Sequence, residues 1–353
     1  MKYPALIRMD EALPVLDNFD AIIDVRSPSE FAEDHIPGAI NCPVLDDAER
    51  AEIGTMYKQL SPFDAKKRGA ALVSRNIARH IEGNFLDKPR NWKPLVYCWR
   101  GGNRSGALAH VLARIGWPAR QLDGGYKEYR RQVNADLQQL PLGLSFKVIC
   151  GTTGSGKSRL LRTLAAQGEQ VLDLEQLAAH RGSVLGNLPA EPQPSQKMFD
   201  SRLWHALRHF DPARLVFVES ESKKVGNLRV PDALMERMRA SPCVSLQLSR
   251  PNRVELLMDE YAHFVAAPEA LNRQLDCLVQ LHGKETISRW QQMARDGEMR
   301  PLVAELLERH YDPAYLRSID RNFTLFPSAE QVEVNAVTDA AFAEAARAVA
   351  AGK

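Results

Sequence analysis

The sequence predicts an α/β protein: two parallel-sheet domains in series, the second ending in a helical part. Three observations carry this. At 353 residues the chain has the length of two ordinary domains. Short apolar runs alternate with segments of helical period, as in strand–crossover–strand units. Two glycine-containing loops, Cys98-Trp-Arg-Gly-Gly-Asn-Arg-Ser105 and Gly151-Thr-Thr-Gly-Ser-Gly-Lys-Ser158, each stand between a predicted strand and a predicted helix.

The first domain is read as 1–139. Residues 21–25 form a short apolar run and are read as a buried strand. A helical turn follows at 29–35, and 36–40 turns into another strand. Residues 95–97 form a strand directly before Cys98. Ala107, Leu108, Val111, Leu112 and Ile115 recur at helical spacing, and Gly116 with Pro118 ends that helix, predicted over 105–115. A brief strand at 120–122 leads through Gly124-Gly125 into a helix near 126–139. Leu140-Pro-Leu-Gly-Leu-Ser145 is the linker. The second domain is read as 146–353, with strands at 146–150, 170–174, 215–218 and 244–248 and a helix at 158–167. After Arg253 the pattern turns mostly helical, with 287–309 the longest periodic stretch.

A composition of 44% hydrophobic and 25% charged residues is that of a soluble globular protein with real cores. No apolar stretch reaches the roughly 18 residues a membrane span needs, and the N-terminus lacks the apolar region of a signal peptide. The expected location is cytoplasmic. The five cysteines are scattered and include no C-x-x-C pair, which argues against a disulfide framework or a zinc site and fits a reducing compartment. The net charge of +2 conceals an asymmetry. Residues 1–50 carry 4 Lys/Arg against 11 Asp/Glu, whereas 51–140 carry 16 against 7. Lys66, Lys67, Arg68, Arg75 and Arg79, with His80, form the densest basic stretch, a footprint suited to a polyanion. The competing reading is an ordinary solvated face.

In the first loop a thiolate is the nucleophile, so a reactive Cys98 needs positive potential around it. The amides between strand and helix, the helix dipole, Arg100 and Arg104 supply it. Gly101 and Gly102 let the backbone curl into an anion-binding nest. The second loop, Gly151-x4-Gly156-Lys157-Ser158, matches the P-loop pattern in full. Gly151, Thr152, Thr153, Gly154, Ser155 and Gly156 would present amides to phosphates, Lys157 would neutralise their charge, and Ser158 would hold Mg²⁺. Asp173, Glu175, Glu219 and Glu221 end neighbouring strands where acidic metal or water ligands sit, and Arg181 is a phosphate contact. From residues alone, a nucleotide kinase, a C-x5-R phosphatase, a sulfurtransferase–kinase fusion and a binding module all stay open.

The region around Cys98 resembles the rhodanese family. Asp24-Val-Arg26, Glu30-Phe31, His35-Ile-Pro-Gly-Ala39 and Leu122-Asp-Gly-Gly125 occur in rhodanese order. That resemblance implies a loop cysteine carrying a persulfide or perselenide. The typical family spacing is C-x4-R, whereas Cys98 and Arg104 are spaced C-x5-R. The wider ring suits a tetrahedral oxyanion, as in the related cysteine phosphatases, or a donor such as selenophosphate.

Taken together, both loops, Asp173-Leu-Glu175, His180-Arg-Gly-Ser183, Gln193-Pro-Ser-Gln196 and Glu219-Ser-Glu-Ser-Lys-Lys224 resemble the tRNA 2-selenouridine synthase family over nearly the whole chain. The resemblance implies an N-terminal rhodanese-like parallel-sheet domain followed by a P-loop α/β domain with a helical C-terminal part. It implies tRNA carrying wobble 2-thiouridine as partner, with geranyl diphosphate and selenophosphate as substrates, no tightly bound cofactor, and Mg²⁺ at the P-loop. Phe199, Leu203 and Trp204 are periodic candidates for a geranyl groove, with core packing as the competing reading. Trp99 is a candidate to stack on a base, and Arg289, Arg295, Arg300 and Arg309 could add a second basic face.

Overall fold

Both loops lie at the carboxyl end of the middle strand of a five-stranded parallel sheet. A computed structural model describes residues 4–183, 185–188 and 191–352. The chain divides into two units, one ending at Asp136 and including Asp200–Arg202, the other formed by the remainder from Leu137 onward.

The first unit contains β1 (Ala5–Ile7), β2 (Ala21–Asp24), β3 (Ile40–Asn41), β4 (Pro94–Tyr97) and β5 (Arg120–Leu122) in the order β1-β5-β4-β2-β3. Every pairing is parallel, with Asp24 opposite Tyr97. All four residues of β4 are buried, as a strand covered on both faces requires. The helix Asn103–Ile115 covers one face through Leu108, Ala109 and Leu112. It begins two residues earlier than the apolar spacing predicts, because Asn103 and Arg104 extend it by half a turn without an apolar contact. Two features were not legible beforehand. One is β1; the other is a helical hairpin, Asp47–Gln59 and Pro62–His80, inserted between β3 and β4.

A buried ion pair locks this unit. Arg26 and Asp24 are both essentially inaccessible. The Arg26 guanidinium donates to Asp24 at 2.6 Å through Nη2, which also donates to the carbonyl of Asp34 at 2.6 Å. The guanidinium lies 3.8 Å from the centre of the Tyr126 ring. Burial opposes the charge, yet the bond to Asp24 and its negative charge hold the Arg26 pKa above its ordinary value. The Tyr126 hydroxyl donates to Asp34 at 2.8 Å, and the Ile36 amide donates to the Tyr97 hydroxyl at 3.2 Å. The segments carrying Asp24, Asp34 and Tyr126 are thus fastened around one cation.

The second unit contains β6 (Ser145–Cys150), β7 (Gln170–Leu172), β8 (Leu215–Glu219), the hairpin β9 (Lys224–Val225) and β10 (Leu228–Arg229), β11 (Cys243–Leu248) and β12 (Glu330–Val334). The parallel sheet runs β12-β11-β6-β8-β7. The helices Lys157–Ala166 and Asp339–Ala351 cover one side around Leu160, Leu164, Phe217, Phe342 and Val349. Buried Lys147 ties the last helix to the sheet, donating to the carbonyl of Gly352 at 2.8 Å and to Glu330 at 3.0 Å.

Residues 250–322 are helical, with their own core around Leu275, Trp290 and Leu302. The stretch 287–309, read as one periodic run, is broken. Lys284–Arg295 ends before Gly297, whose φ of +79° belongs to a left-handed cap, and Met299–Leu306 starts a new direction. Phe199, Leu203 and Trp204 have no exposed surface, so their helical stripe is core and lines no groove. Among the described residues no helix is long and apolar enough to cross a membrane.

Replacing Asp24 by Ala should cost about 3–5 kcal/mol, because it leaves the Arg26 charge buried without its partner. Hydrogen exchange of the intact chain checks this: β2 and β4 should lose protection by roughly a hundredfold or more, while β6 and β8 keep theirs.

Candidate functional site: a cysteine loop and a phosphate loop

Cys98 follows β4 directly and is 3% exposed. Its thiol accepts a hydrogen bond from Ser105 Oγ at 3.2 Å. Ser105 lies in the first turn of Asn103–Ile115, where amides have no partner within the helix. The loop is held from behind by Gln121, which the sequence reading missed. Gln121 Nε2 donates to the carbonyls of Gly101 at 2.5 Å and Gly102 at 3.2 Å, and to Ser105 Oγ at 3.1 Å. In a trans peptide, C=O and the following N–H point opposite ways, so the amides of Gly102 and Asn103 are directed away from Gln121.

Glycine is required here by close backbone approach. Gly101 has φ +63° and Gly125 φ +56°. A Cβ on Gly125 would collide with the Cys98 carbonyl, and one on Gly101 with the Leu122 carbonyl. The Tyr126 amide donates to the Cys98 carbonyl at 2.8 Å. Of the predicted cations, Arg100 is exposed, whereas Arg104 is ion-paired with Glu30 at 2.9 Å. Glu30 also meets Arg50 at 3.0 Å; burial alone would raise its pKa, but these cations and the Ser27 amide bring it below the usual value. Trp99 is 36% exposed and leans on Tyr126 with ring centres 5.2 Å apart.

The phosphate loop runs from the end of β6 into Lys157–Ala166. Gly156 caps this helix with φ +87°, and Gly154 has φ +77° against Leu257. Lys157 Nζ donates to the carbonyls of Gly151 at 2.7 Å and Thr152 at 3.4 Å. Side chains from the helical region brace the loop from outside. The Gly151 amide donates to Tyr315 Oη at 2.6 Å, and Arg253, itself paired with Asp312, donates to the Thr153 carbonyl at 2.9 Å. Neither Tyr315 nor Arg253 was a sequence candidate, since nothing local marks them.

The acidic candidates converge on the loop. Ser158 Oγ donates to Glu175 at 2.7 Å, and the Glu175 amide donates to Glu219 at 3.0 Å. Glu219 is buried, and its Oε2 finds no hydrogen-bond partner among the described residues. Asp173 caps the helix Leu174–Leu177 by accepting from the Gln176 amide at 2.8 Å. The backbone of Gly182 rides so close to Glu221 and Glu175 that a side chain would strike both. Burial raises all four carboxyl pKa values. For Glu221 burial and the charge of Glu175 push it up to about 8, with Lys157 pulling the other way. Among the described residues no group of three or more His, Cys, Asp or Glu is arranged to hold a metal ion.

Asp173, Glu175 and Glu221 line a cavity of about 610 Å³ with Lys157, Ser158, Arg181 and Tyr261. Arg181 donates to the Glu260 carbonyl at 2.5 Å and lies 4.5 Å from the centre of the Tyr261 ring. His180 is buried; its Nδ1 accepts from the Gly182 amide at 3.1 Å, so it holds its own loop. A smaller apolar pocket of about 60 Å³ adjoins the cavity and shares Thr153, Leu257, Tyr261 and Tyr311 with it. Its other walls include Phe264, Leu271, Val303 and Leu306, from helices of the C-terminal part.

The basic candidates Lys66, Lys67, Arg68, Arg75 and Arg79 all lie exposed on Pro62–His80. Lys67 meets Asp64 at 2.7 Å and Arg68 meets Glu52 at 3.0 Å, both in solvent. In the second unit Arg289 and Arg309 both pair with Glu305, and Arg295 with Glu269. Much of that expected basic face is neutralised locally.

Family models match both units. Residues 8–132 match a rhodanese-like domain, and residues 144–274 match a domain described as the tRNA 2-selenouridine synthase AAA domain. A tRNA 2-selenouridine synthase of Bdellovibrio bacteriovorus is 30% identical over 362 residues, covering 89% of this chain and 93% of that one. One from Verminephrobacter eiseniae is 35% identical over 326 residues, covering 83% and 87%. One from Nitrosomonas europaea is 35% identical over 244 residues, a match spanning 68% of this chain and 63% of the relative.

Gly125→Ala should cost about 1–3 kcal/mol and open the cysteine loop; thiol labelling at Cys98 should speed up as the melting temperature falls. Glu221 gives a pH signature. Its folded-state pKa of about 8 lies above the ordinary 4.5, so the folded chain keeps a proton that the unfolded chain releases. The associated stability is complete below the unfolded value and is lost as pH rises through 8. Between about pH 6 and about pH 9 the melting temperature should drop by roughly 2–4 °C or more from this group. In Glu221→Gln the drop should shrink.

Proposed function

Because the chain belongs to the tRNA 2-selenouridine synthase family, we propose that it converts wobble 2-thiouridine of tRNA to 2-selenouridine in two steps, S-geranylation by geranyl diphosphate and then selenium insertion from selenophosphate. The observation that carries the first step is the apolar pocket that shares four wall residues with the phosphate-loop cavity. A diphosphate head and an apolar tail are what such a pair of compartments suits, whereas a nucleotide kinase needs polar groups for a base. The pocket has room for the end of a chain, and the larger cavity for the rest of it.

In the first step the thiocarbonyl sulfur attacks C1 of the geranyl group, the C1–O bond breaks, and diphosphate leaves with the electron pair. The uridine ring loses its N3 proton, so the product is neutral. Lys157 and the loop amides take the charge that develops on the departing diphosphate. The loop carbonyls that now hold Lys157 Nζ keep it within the loop. Bound Mg²⁺ would add charge neutralisation at the diphosphate. Ser158 and Glu175 are the residues that would hold it, and the partnerless oxygen of Glu219, whose other oxygen accepts from the Glu175 amide, fits a cationic site.

In the second step selenium displaces geranylthiol at C2 of the base, and the phosphoryl group of selenophosphate passes to water. Cys98 acts here as nucleophile: its thiolate attacks phosphorus, the P–Se bond breaks, selenide leaves with the electron pair to attack C2, and water then takes the phosphoryl group from the sulfur. The amides of the loop and Arg100 are available to the phosphate, and Arg104 reaches it at the expense of its bond to Glu30.

Nucleoside mass spectrometry of thiolated tRNA, incubated first with geranyl diphosphate and Mg²⁺ and then with selenophosphate, tests both steps. The S-geranyl adduct should appear before 2-selenouridine. Cys98→Ala should keep the adduct and lose selenium, and Lys157→Ala should slow geranylation roughly a hundredfold. Val303→Phe, which fills the apolar pocket, should raise KM for geranyl diphosphate and leave inhibition by inorganic diphosphate unchanged. Unmodified tRNA beside consumed ATP or thiosulfate would replace this reading with a sulfurtransferase–kinase.

A further inference from the structure

The helical hairpin of the first unit ends in an exposed apolar tip. On its inner side Pro62–His80 buries Ala65, Gly69, Leu72 and Asn76, and Asn76 Nδ2 donates to the Val44 carbonyl at 3.2 Å. The partner helix Asp47–Gln59 buries nothing completely. Around the turn, Tyr57 is 53% exposed, Leu60 75% and Phe63 68%. Three large apolar side chains within seven positions form a patch whose exposure marks an interaction surface.

Its charge selects the partner. Lys58 adjoins Tyr57 in the sequence, and Lys66 and Lys67 follow Phe63 by one helical turn on its face, with Asp64 the acidic residue among them. No carboxylate pairs with Lys58 or Lys66 among the described residues, and the Lys67 ammonium lies 5.0 Å from the Phe63 ring centre while meeting Asp64 in open solvent. Exposed pairs of that kind are weak and yield readily to a better anion. A second copy of the chain is disfavoured, since a symmetric tip-to-tip contact would bring like lysines together. Aromatic faces flanked by cations suit unstacked bases on a phosphate chain.

We propose that this tip is a docking surface for single-stranded RNA, with Tyr57 and Phe63 stacking on unpaired bases and Lys58, Lys66 and Lys67 holding the adjoining phosphates. This rests on the tRNA reading above and locates a contact for it remote in sequence from both reactive loops. Arg75 and Arg79 lie about 18–24 Å farther along the helix axis from Phe63, in position to follow the backbone away from the stacked bases.

The test is fluorescence anisotropy of the full chain with a labelled RNA stem-loop and with a blunt RNA duplex of equal length, at two salt concentrations. The parent chain should prefer the stem-loop. Tyr57→Ala with Phe63→Ala should weaken stem-loop binding about tenfold per lost stack with an unchanged salt slope, and should abolish the preference. Lys66→Ala with Lys67→Ala should weaken both RNAs and lower the slope by about 1.5. Melting temperatures should stay at the parent value, because these side chains are exposed. Parent-like RNA binding by both double variants would overturn the tip assignment alone. A parent chain that binds no RNA would overturn the tRNA reading with it. Tip-dependent pelleting with vesicles of anionic lipid, or tip-dependent dimerisation, without a change in RNA affinity would assign the surface to another occupant.

Discussion

A parallel strand that hands its chain to a helix leaves a set of amides without partners at one edge of the sheet. Both reactive loops are built on that constraint, and both at the middle position of five strands: Cys98 after β4, Gly151 after β6. A middle strand has neighbours on both sides, so its carboxyl end opens into a crevice between diverging connections. The remaining features of each unit serve that edge. Arg26 and its carboxylate fasten the segments around the cysteine loop, and Gln121 occupies the loop's carbonyls. Tyr315 and Arg253 brace the phosphate loop from a helical region found in the second unit alone.

The two loops differ in how they balance charge. Around Cys98 the formal charges are partly compensated: Glu30 is shared by Arg50 and Arg104, Arg100 is exposed, and the loop's own amides are the directed positive groups. Around Lys157 the charges are mixed: Asp173, Glu175, Glu221 and Glu260 line the cavity together with Lys157, Arg162, Arg181 and Arg239. Burial is the main cause of the raised pKa values of these carboxyl groups, with neighbouring carboxylates adding to it at Glu175 and Glu221. An anion entering there meets four cations beside carboxyl groups that burial biases toward the neutral form.

Much of this was legible because the motifs impose rigid spacing. Gly151-x4-Gly156-Lys157-Ser158 admits one local geometry, and the run from Cys98 to Ser105 nearly so. What escaped reading was non-local or weakly patterned. β12 alternates Glu330, Gln331, Val332, Glu333 and Val334, half exposed at a sheet edge, and β1 spans three residues. The hairpin helix Asp47–Gln59 has no wholly buried side chain, so no apolar stripe announces it. Gln121 acts through its side-chain amide on carbonyls twenty positions away, a role that no spacing encodes. The apolar pocket beside the phosphate cavity draws its walls from several helices. Phe199, Leu203 and Trp204 had the periodicity of a groove and proved to be core, because period alone reports that a face is covered and not by what.

Gly156 lies against the Phe342 ring so closely that an added Cβ would sit 2.5 Å from Cζ, and Arg159 rests on the same ring at 4.9 Å. These contacts join positions 186 and 183 residues apart. The floor of the phosphate loop is therefore supplied by a segment made long after the loop itself. During synthesis the cysteine-loop unit has nearly all of its chain in hand while the phosphate loop still waits for its support. A ribosome that stalls before residue 342 would release a chain with every strand of both sheets but without the helix that floors the phosphate loop, so maturation of the two chemistries is ordered in time by the direction of translation.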